Sequence, residues 1–396
     1  MSVTFPAGFR AAGVTAGVKP SGAPDLALLV ADAPCSAAAV FTTNAFRAAP
    51  VELCARRLAN GSAQAVVVNS GQANAATGAA GLRDAERLAD AVASGMHLDP
   101  DRVLGCSTGV IGEPLHMEAL LAGVPAAVGA LSRRGGPDFA AAIMTTDTVP
   151  KQAQGASGSH RVGGAAKGVG MIAPSLATML AFVTTDAPVP PAAVHELTTE
   201  VLEPVFESLT VDASPSTNDT VLLIASGAAR GAAVTPGTAA WAGLTRTLEE
   251  VALSLVDQLA ADAEGGTHVL LVEVSGAAST GDARLVARAV ADSPLVKTAA
   301  FGGDPNPGRI LQAVGASGVA IDPGRVDIAI GEVPVVREGV IPPAYFDPSG
   351  DEAARAAMKE PEIRYRIRLG EGAGTSRTFG CDLSYDYVRI NGEYTT

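Results

Sequence analysis

The segment KGVGMIAPSLATMLAFV, Lys167 to Val183, passes from a glycine turn through Pro174 into an apolar run, and one hydroxyl, Thr178, interrupts that run directly behind the small Ala177. A strand needing only burial is better served by valine. Thr178 therefore either hides its hydroxyl in a hydrogen bond to a neighbouring carbonyl or does chemistry with it. A threonine hydroxyl is a weak nucleophile until a base adjoins it, and a free α-amino group on the same residue is such a base. The ordinary pKa of that amine, about 7.7–8.0, lies near working pH. It exists only if the Ala177–Thr178 bond is cut, and a small residue at 177 behind a Pro/Gly turn suits self-cleavage by an N→O acyl shift.

Competing chemistries fit less well. Gly168, Gly170 and Ala173 match GxGxxA, but a dinucleotide site needs those glycines to open a helix; Pro174 and a β-like run follow instead. No GK[ST] follows the glycines, and no GxSxG elbow occurs. The histidines (97, 116, 160, 195, 268) and cysteines (35, 54, 106, 381) are dispersed without ligand spacing, so neither a metal nor a disulfide framework is expected. Unpaired cysteines suit a reducing cytoplasm. A net charge of −13 without a Lys/Arg cluster argues against nucleic acid. No secretory signal or membrane span is expected either.

The 396 residues suffice for two or three packed units. Short apolar runs alternate with helical periodicity, the pattern of an α/β chain. Strands are expected at 25–32, 39–44, 64–71, 219–226 and 267–276. Helices are expected at 81–98, 115–131, 192–209, 238–261, 283–293 and 308–315. In the first of these Leu82, Ala85, Leu88, Val92 and Met96 share one face. Residues 152–168, rich in Gly and Ser, form a loop or a flexible hairpin edge, and the tail from 363 alternates like an antiparallel hairpin. There is no internal repeat.

KGVGMIAPSLATML resembles the cleavage signature of the ornithine acetyltransferase family, the ArgJ proteins, in which a KGxGMxxPxxATML segment is cut between Ala and Thr. Further blocks look like the family's, in order: AAGVTAGVK (11–19), DLALLV (25–30), VVVNSGQANAATG (66–78), STGVIG (107–112), IMTTDT (143–148), STNDT (216–220), FGGDPNPGRI (301–310) and NGEYTT (391–396). The resemblance implies a DmpA/ArgJ-like layered α/β sandwich of the self-cleaved N-terminal-nucleophile type. It would comprise chains 1–177 and 178–396, with a C-terminal α+β lobe from about 280, associating as a pair of heterodimers. It implies ping-pong transfer of an acetyl group from N2-acetyl-L-ornithine to L-glutamate in cyclic arginine biosynthesis, without a cofactor.

The same resemblance assigns roles. Thr178 is the nucleophile, and the Thr108 hydroxyl and Gly109 N–H form the oxyanion hole. Lys167 meets the substrate carboxylate and Glu264 an ammonium. Thr145 or Thr146 adds a hydroxyl, and Asn391 and Thr396 bind substrate. Three departures bear on substrate fit or maturation: His268 where the family has Lys, Pro307 for its Trp, and Ser175 for its Asn. The sequence leaves open whether acetyl-CoA also serves as donor. The alternative is a self-processing amidohydrolase or aminopeptidase of the same architecture, with water as acceptor.

Overall fold

A computed structural model describes residues 2–172, 179–347 and 349–393. The chain divides into two compact units: residues 1–207 with 214–259, and residues 208–213 with 260–394.

The first unit is built on a mixed sheet of β1 (Phe9–Val14), β2 (Leu26–Phe41), β3 (Ser62–Gln72), β4 (Val103–Val110), β5 (Lys151–Ser157), β6 (His160–Lys167), β7 (Leu180–Thr185) and β8 (Thr220–Ala225). Its order is β4-β3-β2-β8-β7-β6-β5, with β1 also on β2. The β3–β4 and β7–β8 pairs are parallel and the others antiparallel. Two strands were expected at 25–32 and 39–44. They are one strand, whose register shifts between Val30 and Cys35 as it leaves β1 and takes up β8. Pro34 lies in that irregular stretch, where its missing N–H breaks no regular ladder.

Both faces of the sheet are covered. Ala27, Leu29 and Ala31 enter one core cluster with Phe139 and Phe182, while Leu26, Leu28 and Val30 enter another with Ala85, Leu88 and Val92 of helix Gly78–Met96. Burial on two sides is why these strands read as unbroken apolar runs.

Residues 152–168 are the hairpin β5–β6. Their glycines mark close packing. A Cβ on Gly164 would meet Leu255 Cδ1 at 2.8 Å and one on Gly155 would meet Thr247 Cγ2 at 2.8 Å, both on helix Ala239–Ala261, while one on Gly163 would sit 2.1 Å from the Ser2 carbonyl oxygen.

The second unit carries β9 (Val269–Ala277), β10 (Asp327–Ile330), β11 (Val333–Val336), β12 (Glu362–Arg368) and β13 (Gly374–Cys381), in the order β11-β10-β12-β9-β13. The expected tail hairpin does not form. β12 runs parallel to β9 on one side and β13 antiparallel to it on the other, so the two strands never pair. Alternation fixes only which residues face the core, and both strands alternate correctly against β9. Ile363, Tyr365 and Ile367 are buried with Val286, Val290 and Ile310 of the covering helices. This unit starts earlier than the expected 280 because β9 is an inner strand of its sheet. Among the described residues, no helix is long and apolar enough to cross a membrane.

Candidate active site

Near its end β4 carries Ser107, Thr108 and Gly109, paired in register with Asn69, Ser70 and Gly71 of β3. The two strands approach so closely that a Cβ on Gly109 would lie 2.2 Å from the Gly71 carbonyl carbon, and its φ of +133° favours glycine as well. Ser107 Oγ donates to Asn69 Oδ1 at 2.5 Å. Asn218 Nδ2 donates to the carbonyls of Ser107 (2.8 Å) and Ala73 (2.6 Å). Three blocks far apart in sequence thus form one wall.

Lys167 closes β6, opposite Leu180 at the start of β7. It is buried, and its ammonium donates to Thr145 Oγ1 at 2.8 Å and Thr108 Oγ1 at 3.1 Å. A hydroxyl that accepts from an ammonium keeps its own hydrogen for donation, polarised by that charge. Asp147 Oδ2 lies 4.0 Å from Lys167 Nζ. The same carboxylate accepts from Lys151 Nζ (2.6 Å), Gly168 N (2.9 Å) and Thr145 N (3.0 Å). Burial alone would push the Asp147 carboxyl up. Lys167, Lys151 and the Thr145 amide outweigh it and hold it at about 2.

A third lysine, Lys19, donates to the carbonyls of Met144 and Pro24, both at 2.7 Å. Burial brings its amine down to about 8, with the charge of Lys167 in the same direction and Asp25 and Asp147 opposing. Just before β7, Met179 is held at both ends. Its N–H donates to Asp219 Oδ1 at 2.8 Å and its carbonyl accepts from Thr220 N at 3.1 Å.

The structure therefore brings together Thr108, Gly109, Thr145 and Lys167 of the expected residues. Thr146 is half-buried beside Thr145. Ala177, Thr178, Ser175 and Thr396 lie outside the described residues. Glu264 and Asn391 belong to the second unit, where Asn391 Nδ2 donates to Glu264 Oε2 at 3.1 Å. Gly265, behind Glu264, has a φ of +67° and leaves no room for a Cβ against Tyr387 N. His268 Nδ1 lies 3.3 Å from Asp382 Oδ2. Pro307 opens the helix Pro307–Gly315, whose first turn is capped by the Asn306 side chain on Arg309 N. Gly168 follows the end of β6, and the next described strand, β7, is antiparallel to β6.

Sequence reasoning gave no role to Lys19, Asp147, Lys151, Asn218 or Asp219. All but Lys151 stand inside blocks already quoted, so their positions were visible and their purpose was not.

The profile of the ArgJ family matches residues 10–396. The chain belongs to the ArgJ family. It is 47% identical over 400 residues to the arginine biosynthesis bifunctional protein ArgJ of Symbiobacterium thermophilum, covering 100% of this chain and 98% of that one. It is 46% identical over 397 residues to the protein of the same name from Thermobifida fusca, covering 100% of both. The solved ArgJ structure from Bacillus halodurans aligns with a TM-score of 0.51 at 38% identity, over 54% of this chain and 98% of that one. Placed in ArgJ, the mixed α/β sheets described above are the family's fold.

Proposed function

We propose that this ArgJ protein transfers acetyl from N2-acetyl-L-ornithine to L-glutamate through an acetyl ester on Thr178, in arginine biosynthesis, after cutting itself between Ala177 and Thr178. The observation that carries the reading is the buried Lys167 ammonium, bonded to the hydroxyls of Thr108 and Thr145 at the end of β6, opposite Leu180 where β7 begins. It supplies a fixed cation for a substrate carboxylate and two polarised O–H donors for a developing negative charge.

In scission, the Thr178 hydroxyl attacks the Ala177 carbonyl, the peptide C–N bond breaks, and water releases the resulting ester. The Ala177 carboxylate and the Thr178 amine remain. In transfer, Thr178 Oγ attacks the acetyl carbon while its proton passes to the amine. The amide C–N bond then breaks, the ammonium hands its proton to the departing ornithine nitrogen, and the acetyl ester stays on Thr178. The α-amino group of glutamate takes the acetyl by the reverse steps. Thr108 and the Gly109 N–H are assigned to the developing oxyanion, where preorganised donors act most strongly. Lys167 is assigned to a substrate carboxylate, with Thr145 or Thr146 contributing a hydroxyl. Glu264, Asn391 and Thr396 are assigned, by family resemblance, to the rest of the substrate. The two chains remain associated, two of each. Water must be excluded from the ester.

Intact-mass measurement and N-terminal sequencing test this directly. The purified protein should give two chains, one beginning at Thr178, and Thr178→Ala should give one uncut chain with no transfer. A fully active single chain would sink the reading. Supplying acetylornithine or acetyl-CoA with glutamate identifies the donors. Acetate release in place of acetylglutamate would make the protein a hydrolase.

A further inference from the structure

The loop before β2 is wound about one carboxylate. Asp25 accepts the backbone N–H groups of Ala16 (2.6 Å), Gly17 (3.1 Å), Val18 (2.6 Å) and Lys19 (3.0 Å), so the Lys19 side chain starts from a fixed point. Among the described residues the Lys19 ammonium is bonded to carbonyls alone, those of Pro24 and Met144, and the residue is only partly buried. An ammonium carries three donors, so one is left for an acceptor arriving from outside. Burial and the charge of Lys167 together bring this amine down to about 8, against the pull of Asp25 and Asp147. An anion seated beside it would offset both effects.

Met144 precedes Thr145, whose hydroxyl accepts from Lys167 Nζ at 2.8 Å. The two hydrogen bonds and the covalent geometry between their acceptors keep the ammonium groups of Lys19 and Lys167 within about 11 Å of each other. The carboxyl carbons of glutamate are four bonds apart, about 5 Å when extended, and a hydrogen bond at each end reaches across such a span.

We propose that Lys19 binds the γ-carboxylate of the acceptor glutamate while Lys167 holds its α-carboxylate. This deepens the transfer reading under Proposed function and rests on it. Both half-reactions work on an α-nitrogen, so the α-carboxylate takes one place in both. The distal groups carry opposite charge, an ammonium on ornithine and a carboxylate on glutamate. A single fixed charge serving both would favour one substrate by repelling the other. A separate cation for the γ-carboxylate removes that conflict.

Lys19→Gln tests this, because it keeps two N–H donors for the two carbonyls and removes the charge, whereas Lys19→Arg keeps the charge. Exchange of labelled ornithine into N-acetylornithine runs the donor half-reaction without glutamate, and acetylglutamate formation needs both halves. Lys19→Gln should leave the exchange unchanged and raise KM for glutamate about 10- to 100-fold, the scale of one hydrogen bond to a charged group. Its preference for glutamate over glutamine, whose amide replaces the γ-carboxylate, should fall by the same factor, and Lys19→Arg should restore much of it. A wild-type KM for glutamate in Lys19→Gln overturns the proposal. So does loss of exchange and of transfer in equal measure, which marks a structural role. A second measurement needs no substitution: glutamate, but not glutamine, should slow reductive methylation of Lys19 in the wild type, read by peptide mass spectrometry. Equal labelling overturns the proposal. A wild type that exchanges no ornithine fails at an earlier point, because it removes the transfer reading itself.

Discussion

Asp147 shows how much a site can rest on a residue that touches no substrate in the proposed reaction. It sits between two buried lysines, 2.6 Å from Lys151 Nζ and 4.0 Å from Lys167 Nζ. Removing one partner of a buried ion pair leaves the other charge stranded, which costs about 3–5 kcal/mol. Asp147→Asn should lose stability on that scale in urea denaturation, and the transfer activity with it. Its acid response should change too. The carboxyl titrates near 2 when folded, against 3.8 for the ordinary group. Its stabilisation is therefore complete above 3.8 and is lost as the pH falls through the folded value. Followed by circular dichroism, the wild type should lose stability in that window, and the variant should lack this component.

At the scale of elements, the sequence was most readable where burial is two-sided and periodic, as in β3, β8 and the helix Gly78–Met96. It misled where partner choice matters. The alternation in β12 and β13 is real, and Ile363, Tyr365 and Ile367 are buried, but alternation carries no information about which strand lies alongside, and β9 came between them. The Gly/Ser-rich stretch left a loop and a hairpin edge both open, and the hairpin forms; composition alone cannot tell glycine kept for freedom from glycine kept for contact. Here the contacts decide. Gly163→Ala should cost near the top of the range of about 1–3 kcal/mol for overpacking, because its Cβ would press on the fixed Ser2 carbonyl. Gly155→Ala should cost near the bottom, because it meets a methyl group of Thr247. Paired thermal melts check the order. Of the site, residue types and blocks were legible through resemblance, whereas the lysine–carboxylate array around Asp147 needed three-dimensional proximity that no spacing encodes.

At the scale of the whole molecule, the strand order has a direct bearing on the proposed cut. β2, β3, β4, β5 and β6 precede residue 178, whereas β7 and β8 follow it. In the sheet, β8 and β7 stand between β2 and β6. The later piece therefore supplies the middle of a sheet whose two flanks come from the earlier one, and neither piece owns that sheet complete. The 1–177 and 178–396 chains should co-elute on native gel filtration and separate only in denaturant. Pieces produced apart and then mixed should recover little activity, because each would present unsheltered strand edges prone to aggregate. Weaving must come first and severance second. A molecule whose strands are misthreaded would then never acquire its reactive amine, and faulty copies would stay disarmed.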